Sequence, residues 1–221
     1  ALLIAVLLLC AVGLLCIHVD APRKAFMQAI WIVIGLGAFV VAIVVPYRRF
    51  GEASYVLFVI SLLMLVAILF LPTSIAPVIK GARRWFRVGP VQFQPSELTK
   101  IAFILALAWY LQYRKNYRSL TGLLWPFLLT LVPMGLVLVE PDLGTSLLFL
   151  PALFAMLFMA GAKAKHLLTI ALLGLIAMPA FWPVLKDHQK TRIRVWITQG
   201  QADDPQLRDK GYQLRESLQA V

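Results

Sequence analysis

The stretch SYVLFVISLLMLVAILFLP, Ser54 to Pro72, holds nineteen residues and no charged side chain. A helix of that length rises roughly 28 Å at about 1.5 Å per residue. The hydrocarbon layer of a bilayer is about 30 Å thick. A run that fits so closely and offers water nothing reads as a membrane span. Six further runs have the same character, at about 1–17, 26–45, 98–113, 123–139, 143–161 and 167–185. The 98–113 run is short and includes Lys100. Composition agrees: 61% of residues are hydrophobic, 14% are charged, and mean hydropathy is +0.85. Soluble domains carry about 25% charged residues. The expected fold class is all-α, a polytopic transmembrane helical bundle of about seven spans in one domain over residues 1–221.

The polar residues are gathered between the spans. Between the quoted run and the next lies Gly81-Ala82-Arg83-Arg84-Trp85-Phe86-Arg87-Val88-Gly89, and then Gln94-Pro95-Ser96-Glu97. Lys80, Arg83, Arg84 and Arg87 surround Trp85 and Phe86 at a membrane boundary. Cations suit phosphate, and aromatic rings suit lipid or sugar. An ordinary interfacial aromatic belt with incidental charge has the same composition. Lys100 lies three residues after Glu97, on one helix face with it. A charge inside a span usually faces a partner or a cavity.

A second polar region, 186–221, follows the seventh run. It contains Lys186 through Trp196, then Asp203-Asp204-Pro205, then Gly211-Tyr212-Gln213. Loops longer than about 12–15 residues are commonly functional or disordered, and Trp196 and Tyr212 argue against disorder. Asp203 or Asp204, among cations, could serve as a general base beside a phosphate-binding surface. A solvated acidic turn begun by Asp-Pro is the plainer account. A third cluster is Glu140-Pro141-Asp142-Leu143-Gly144-Thr145. Pro and Asp suit the start of a following helix; alternatively Glu140 or Asp142 faces a polar cavity.

Several chemistries find no support. His18, His166 and His188 are scattered without metal-ligand spacing. Cys10 and Cys16, six residues apart, do not share a helix face. No Gly-rich phosphate loop, nucleophile elbow or dinucleotide fingerprint is present. Counting cations on alternate sides gives seven on one side and thirteen on the other. That would place the Arg84 loop in the cytoplasm, unless its charge serves a polyanionic ligand. The first run has neither a basic segment before it nor a small-residue cleavage site, so it reads as a span. The chain stops at Val221 as an apolar stretch starts, and further spans are expected beyond it.

Together these motifs resemble the SEDS family (shape, elongation, division and sporulation), the RodA- and FtsW-like proteins. The resemblance rests on Gly81 through Trp85, Gln94 through Glu97 with Lys100, Pro141 through Thr145, Gln189 through Arg194, Asp204-Pro205 and Gly211 through Gln213. It implies ten spans in the full protein, so this chain would be the seven-span N-terminal part. It also implies a bacterial inner-membrane protein with its N-terminus in the cytoplasm. The loops carrying Arg84, Asp142 and Asp204 would then lie outside, and 186–221 would be a large extracytoplasmic loop.

The implied activity is peptidoglycan glycosyl transfer: lipid II is polymerised and undecaprenyl pyrophosphate leaves. Asp204 matches the essential acidic residue and would be the general base. Asp203 is the alternate, because no Pro follows Trp196 closely and the spacing to Gly211 is longer than the family's. Arg83, Arg84 and Arg87 would neutralise the pyrophosphate, and Trp85 would hold lipid or sugar. Gln94, Ser96, Glu97, Lys100 and Asp142 would shape the polar floor. The implied partners are lipid II, the growing glycan strand and a class B penicillin-binding protein, with no nucleic acid. No cofactor is expected, although a divalent cation on the pyrophosphate is compatible with this chemistry. Two other functions suit the same spans: a lipid-linked precursor flippase, and a non-catalytic membrane scaffold for the penicillin-binding protein.

Overall fold

The computed structural model describes residues 2–79, 82–89, 91–114, 116–177 and 190. The chain divides into two compact units, Ala1–Ala53 and Ser54–Val221. In the first, α1 (Leu2–Asp20) and α2 (Pro22–Val44) run back on each other across Ala21. Pro22 opens α2, where its missing N–H is no loss. Ala25 is the only buried residue described in α2, and Val19 and Val44 are 85% and 73% exposed. Large apolar side chains left so open are untenable in water and ordinary in hydrocarbon. α3 (Tyr47–Phe70) follows Pro46.

In the second unit, two antiparallel hairpins precede the next helix. β1 (Val78–Ile79) pairs with β2 (Ala82–Arg83), and β3 (Phe86–Val88) pairs with β4 (Val91–Phe93). Gly89 turns the second hairpin with φ of 61°, a conformation glycine adopts without steric cost. The Arg-Trp loop is therefore not an irregular connection, and the helical fold has four short strands among its described residues.

α4 (Pro95–Tyr113) comes next, starting three residues before the expected run. Short 3-10 turns at Asn116–Arg118 and Thr121–Leu123 lead into α5 (Leu124–Val139). The sixth span is broken into α6 (Leu143–Leu147) and α7 (Phe149–Ala160). Pro151 explains the break: it has no N–H for the Leu147 carbonyl, and its ring crowds that carbonyl. Gly161, with φ of 94°, ends α7; its N–H reaches the Phe158 carbonyl and that of Ala162 reaches Leu157. α8 (Ala164–Ala177) is the described part of the seventh run.

The core of this unit brings α3, α4, α5 and α7 together. Phe103 meets Phe149 edge-on at 5.3 Å between ring centres. Leu65, Leu107, Leu123, Val137, Leu153 and Leu157 are buried around them. Among the described residues four helices are long and apolar enough to cross a membrane: Pro22–Val44, Tyr47–Phe70, Thr121–Val139 and Leu143–Ala160. Together with the apolar α1, α4 and α8, they make this a polytopic membrane protein.

Candidate functional site

The polar motifs of the second unit meet at the turn between α5 and α6. Arg84, carried between the hairpins, extends its guanidinium to that turn. Its Nε donates to the Glu140 carbonyl at 3.1 Å, and its Nη2 donates to the Pro141 carbonyl. Its Nη1 lies 3.4 Å from Asp142 Oδ2. Gln94, at the start of α4, donates from Nε2 to the same Asp142 oxygen at 3.3 Å. The other carboxylate oxygen, Oδ1, accepts the Thr145 backbone N–H at 3.2 Å, so Asp142 is the N-cap of α6. One carboxylate thus joins a hairpin, a helix start and a helix cap, which neither Arg84 nor Gln94 could do alone. Capping by Asp142 holds as the sequence suggested, with Pro141 just before the helix and not in its first turn.

The neighbouring cations differ. Arg83 donates to the Leu71 carbonyl at 3.3 Å, which pins the first hairpin to the end of α3. Arg87 is held by its backbone, paired with Gln92 across β3 and β4 and with its N–H bonded to the Ile75 carbonyl at 2.8 Å, and its side chain is exposed with no partner among the described residues. Trp85 is half-buried. Lys100 is satisfied locally: its Nζ lies 2.8 Å from Glu97 Oε1, one turn back on the same helix, and Glu97 is exposed. Its partner is a neighbour on its own helix; no cavity is needed to explain it.

Two buried groups are less settled. Glu140 is 1% exposed, and neither carboxylate oxygen has a hydrogen-bond partner. Burial pushes its pKa up to about 8; the Asp142 charge raises it further, and the Arg84 charge offsets part of the rise. At neutral pH Glu140 is therefore largely a neutral acid with a proton to donate. Ser96 is also fully buried, and its Oγ is unpartnered. Ser96 and Glu140 sit on the two segments that the Gln94–Asp142 bond holds together. The sequence brings Glu140 into view as an acid at the end of an apolar run, but only the structure singles it out from Asp142. Among the described residues no three His, Cys, Asp or Glu side chains gather as a metal site requires. Asp203 and Asp204 lie outside the described residues.

Comparison with known proteins gives one consistent picture. A family model for cell cycle proteins of the FtsW, RodA and SpoVE type matches residues 2–221. The peptidoglycan glycosyltransferase RodA of Treponema pallidum is 30% identical over 185 residues, 80% of this chain and 42% of its own. A probable peptidoglycan glycosyltransferase FtsW of Shewanella sediminis is 33% identical over 84% of this chain and 44% of its own. Among solved structures, the rod shape determining protein RodA of Thermus thermophilus superposes with a TM-score of 0.67 at 36% identity, covering 80% of this chain and 58% of that one. A chain from a peptidoglycan synthase complex that coordinates polymerization and crosslinking reaches 0.76 at 34% identity, covering 88% and 57%. This chain spans about half the length of these relatives.

Proposed function

The chain belongs to the FtsW, RodA and SpoVE family of cell cycle proteins, and from that premise we propose that it forms the N-terminal part of a peptidoglycan glycosyltransferase that polymerises lipid II. The observation that carries the proposal is the joint at Asp142. Arg84 and Gln94 lie in neighbouring motifs and Asp142 stands 48 positions beyond Gln94, yet the three meet around one carboxylate. A chain that needed only to span a membrane has no use for such a convergence.

In this reading the residues divide their labour. Arg84 and Gln94 hold the hairpin against the α4 start and the α6 cap. Arg87, exposed beside them, faces the pyrophosphate with an unengaged charge, supported by Arg83. Trp85 lies against the lipid or sugar. Asp204, with Asp203 as the alternate, takes the proton from the acceptor's 4-hydroxyl as that oxygen attacks the anomeric carbon of the donor. The C–O bond to pyrophosphate breaks, and undecaprenyl pyrophosphate leaves with the electron pair. Cations near that leaving group lower the barrier because they act where charge develops. The protein lies in the bacterial inner membrane with this joint on the outer side, and a class B penicillin-binding protein crosslinks the strand it makes.

The test is polymerisation of labelled lipid II by the protein together with that partner. General-base catalysis contributes about 10²–10⁴-fold, so Asp204→Asn is expected to lose most polymer while still binding the partner. Asp203→Asn is expected to be milder. Full activity in both variants would refute the catalytic reading and favour a scaffold or flippase.

A further inference from the structure

At the ends of α4 and α5 away from the Asp142 joint lies a cavity of about 430 Å³, lined by Tyr55, Trp109, Tyr110, Tyr113, Arg114 and Trp125. Gln94 beside the joint and Arg114 in the cavity flank the two ends of α4. A nineteen-residue helix is roughly 28 Å long, about the depth of the hydrocarbon layer. α5 runs the opposite way, from Leu124 beside Trp125 to the turn at Glu140. The cavity therefore belongs to the other boundary of the apolar layer.

Its chemistry is particular. Aromatic rings from α3, α4 and α5 line it together with one guanidinium. Trp109 and Tyr113 meet edge-on at 4.9 Å, and Tyr55 interacts electrostatically with Tyr110 and Arg114. Arg114 follows the last turn of α4, is exposed, and has no acidic partner among the described residues. Trp125 and Tyr113 are 61% and 64% exposed, so the cavity opens outward. An aromatic belt alone sets rings singly around a perimeter; it does not gather five of them about a free cation.

We propose that this cavity binds the headgroup of an anionic phospholipid. The Arg114 guanidinium takes the phosphate oxygens through paired N–H donors. The Trp indole N–H and Tyr hydroxyl groups add further donors, and the ring faces hold the glycerol and upper acyl chain. Charge complementarity and depth both select this ligand: a cation at headgroup level in a cavity otherwise lined by aromatic rings suits a phosphate already attached to a hydrocarbon chain. The inference does not depend on the glycosyltransferase reading.

Native mass spectrometry of the purified protein with added phosphatidylglycerol or phosphatidylcholine tests it. The wild type is expected to retain phosphatidylglycerol preferentially. Arg114→Gln should lower that retention roughly fivefold, the contribution of one interfacial cation, and leave phosphatidylcholine unchanged. Should Arg114→Gln fail to fold, Trp125→Ala at the exposed rim gives the same readout. Equal retention of the two lipids by wild type, or undiminished phosphatidylglycerol in the variant, overturns the proposal. Displacement of the lipid by millimolar inorganic phosphate would also overturn it, by making the site one for a soluble anion.

Discussion

Arg84 and Arg114 lie near the two ends of the same helix, and the difference between them is instructive. Arg84 is one-quarter exposed and places three of its donors on Glu140, Pro141 and Asp142. Arg114 stands exposed beside aromatic rings, with no acidic partner among the described residues. Both are arginines at a membrane boundary, and composition cannot tell them apart. One charge holds segments of the fold together; the other is left for something outside it. A basic loop therefore cannot be equated with a binding loop until its donors have been assigned.

The sharpest way to break this contrast is to remove Arg84. Arg84→Ala leaves the Glu140 and Pro141 carbonyls and the Asp142 carboxylate short of donors. Lost bonds to a charged group cost roughly 1.5–3 kcal/mol, so thermal unfolding in detergent should drop by several degrees. Polymerisation should fall with it. Arg84→Lys should rescue little, because a single ammonium cannot replace the fork. Wild-type unfolding of Arg84→Ala would erase the distinction.

Glu140 sharpens the comparison from within the joint. Its folded pKa is about 8 against an ordinary 4.5. Between those values the folded chain keeps a proton that the unfolded chain has released. Stability is then highest below about pH 4.5 and declines as pH rises towards 8, by up to about 1.4 kcal/mol per pH unit. Glu140→Gln should remove that decline and stabilise the protein at pH 7. Denaturation measured from pH 5 to 8.5 decides; parallel slopes in the two proteins would mean Glu140 is not held neutral.

The smallest effect belongs to Arg114. Exposed and without an acidic partner among the described residues, it should change stability by less than about 0.5 kcal/mol when replaced by Gln. A loss comparable to that of Arg84→Ala would show a structural partner for Arg114 and dissolve the contrast.

The helices were legible because lipid demands long unbroken apolar runs, and Ser54 to Pro72 states that demand plainly. The hairpins were not. Strands of two or three residues are too short for alternation to register, and β1 to β4 depend on pairing across Lys80–Gly81 and Gly89–Pro90. The motifs pointed to Arg84, Gln94 and Asp142 as site residues, and the structure brings all three together. Their mutual bonding could not be read, since Arg84 and Glu140 are 56 positions apart. The raised pKa of Glu140 was also out of reach, because it follows from burial. Pro151 carries the signal for the break in the sixth span, since it has no N–H for the Leu147 carbonyl.

The left-handed end of α7 has a consequence for what substitutions the protein tolerates. An L side chain at Gly161 must adopt φ of 94°, and its Cβ would stand 3.9 Å from the Arg118 guanidinium. The left-handed backbone alone costs about 1–2 kcal/mol. Gly135, inside α5, would find no atom within 4 Å of an added Cβ. A saturation library selected for folded protein should therefore be stripped of nearly everything but glycine at 161, while alanine passes freely at 135. Two identical letters in one sequence would carry very different amounts of information.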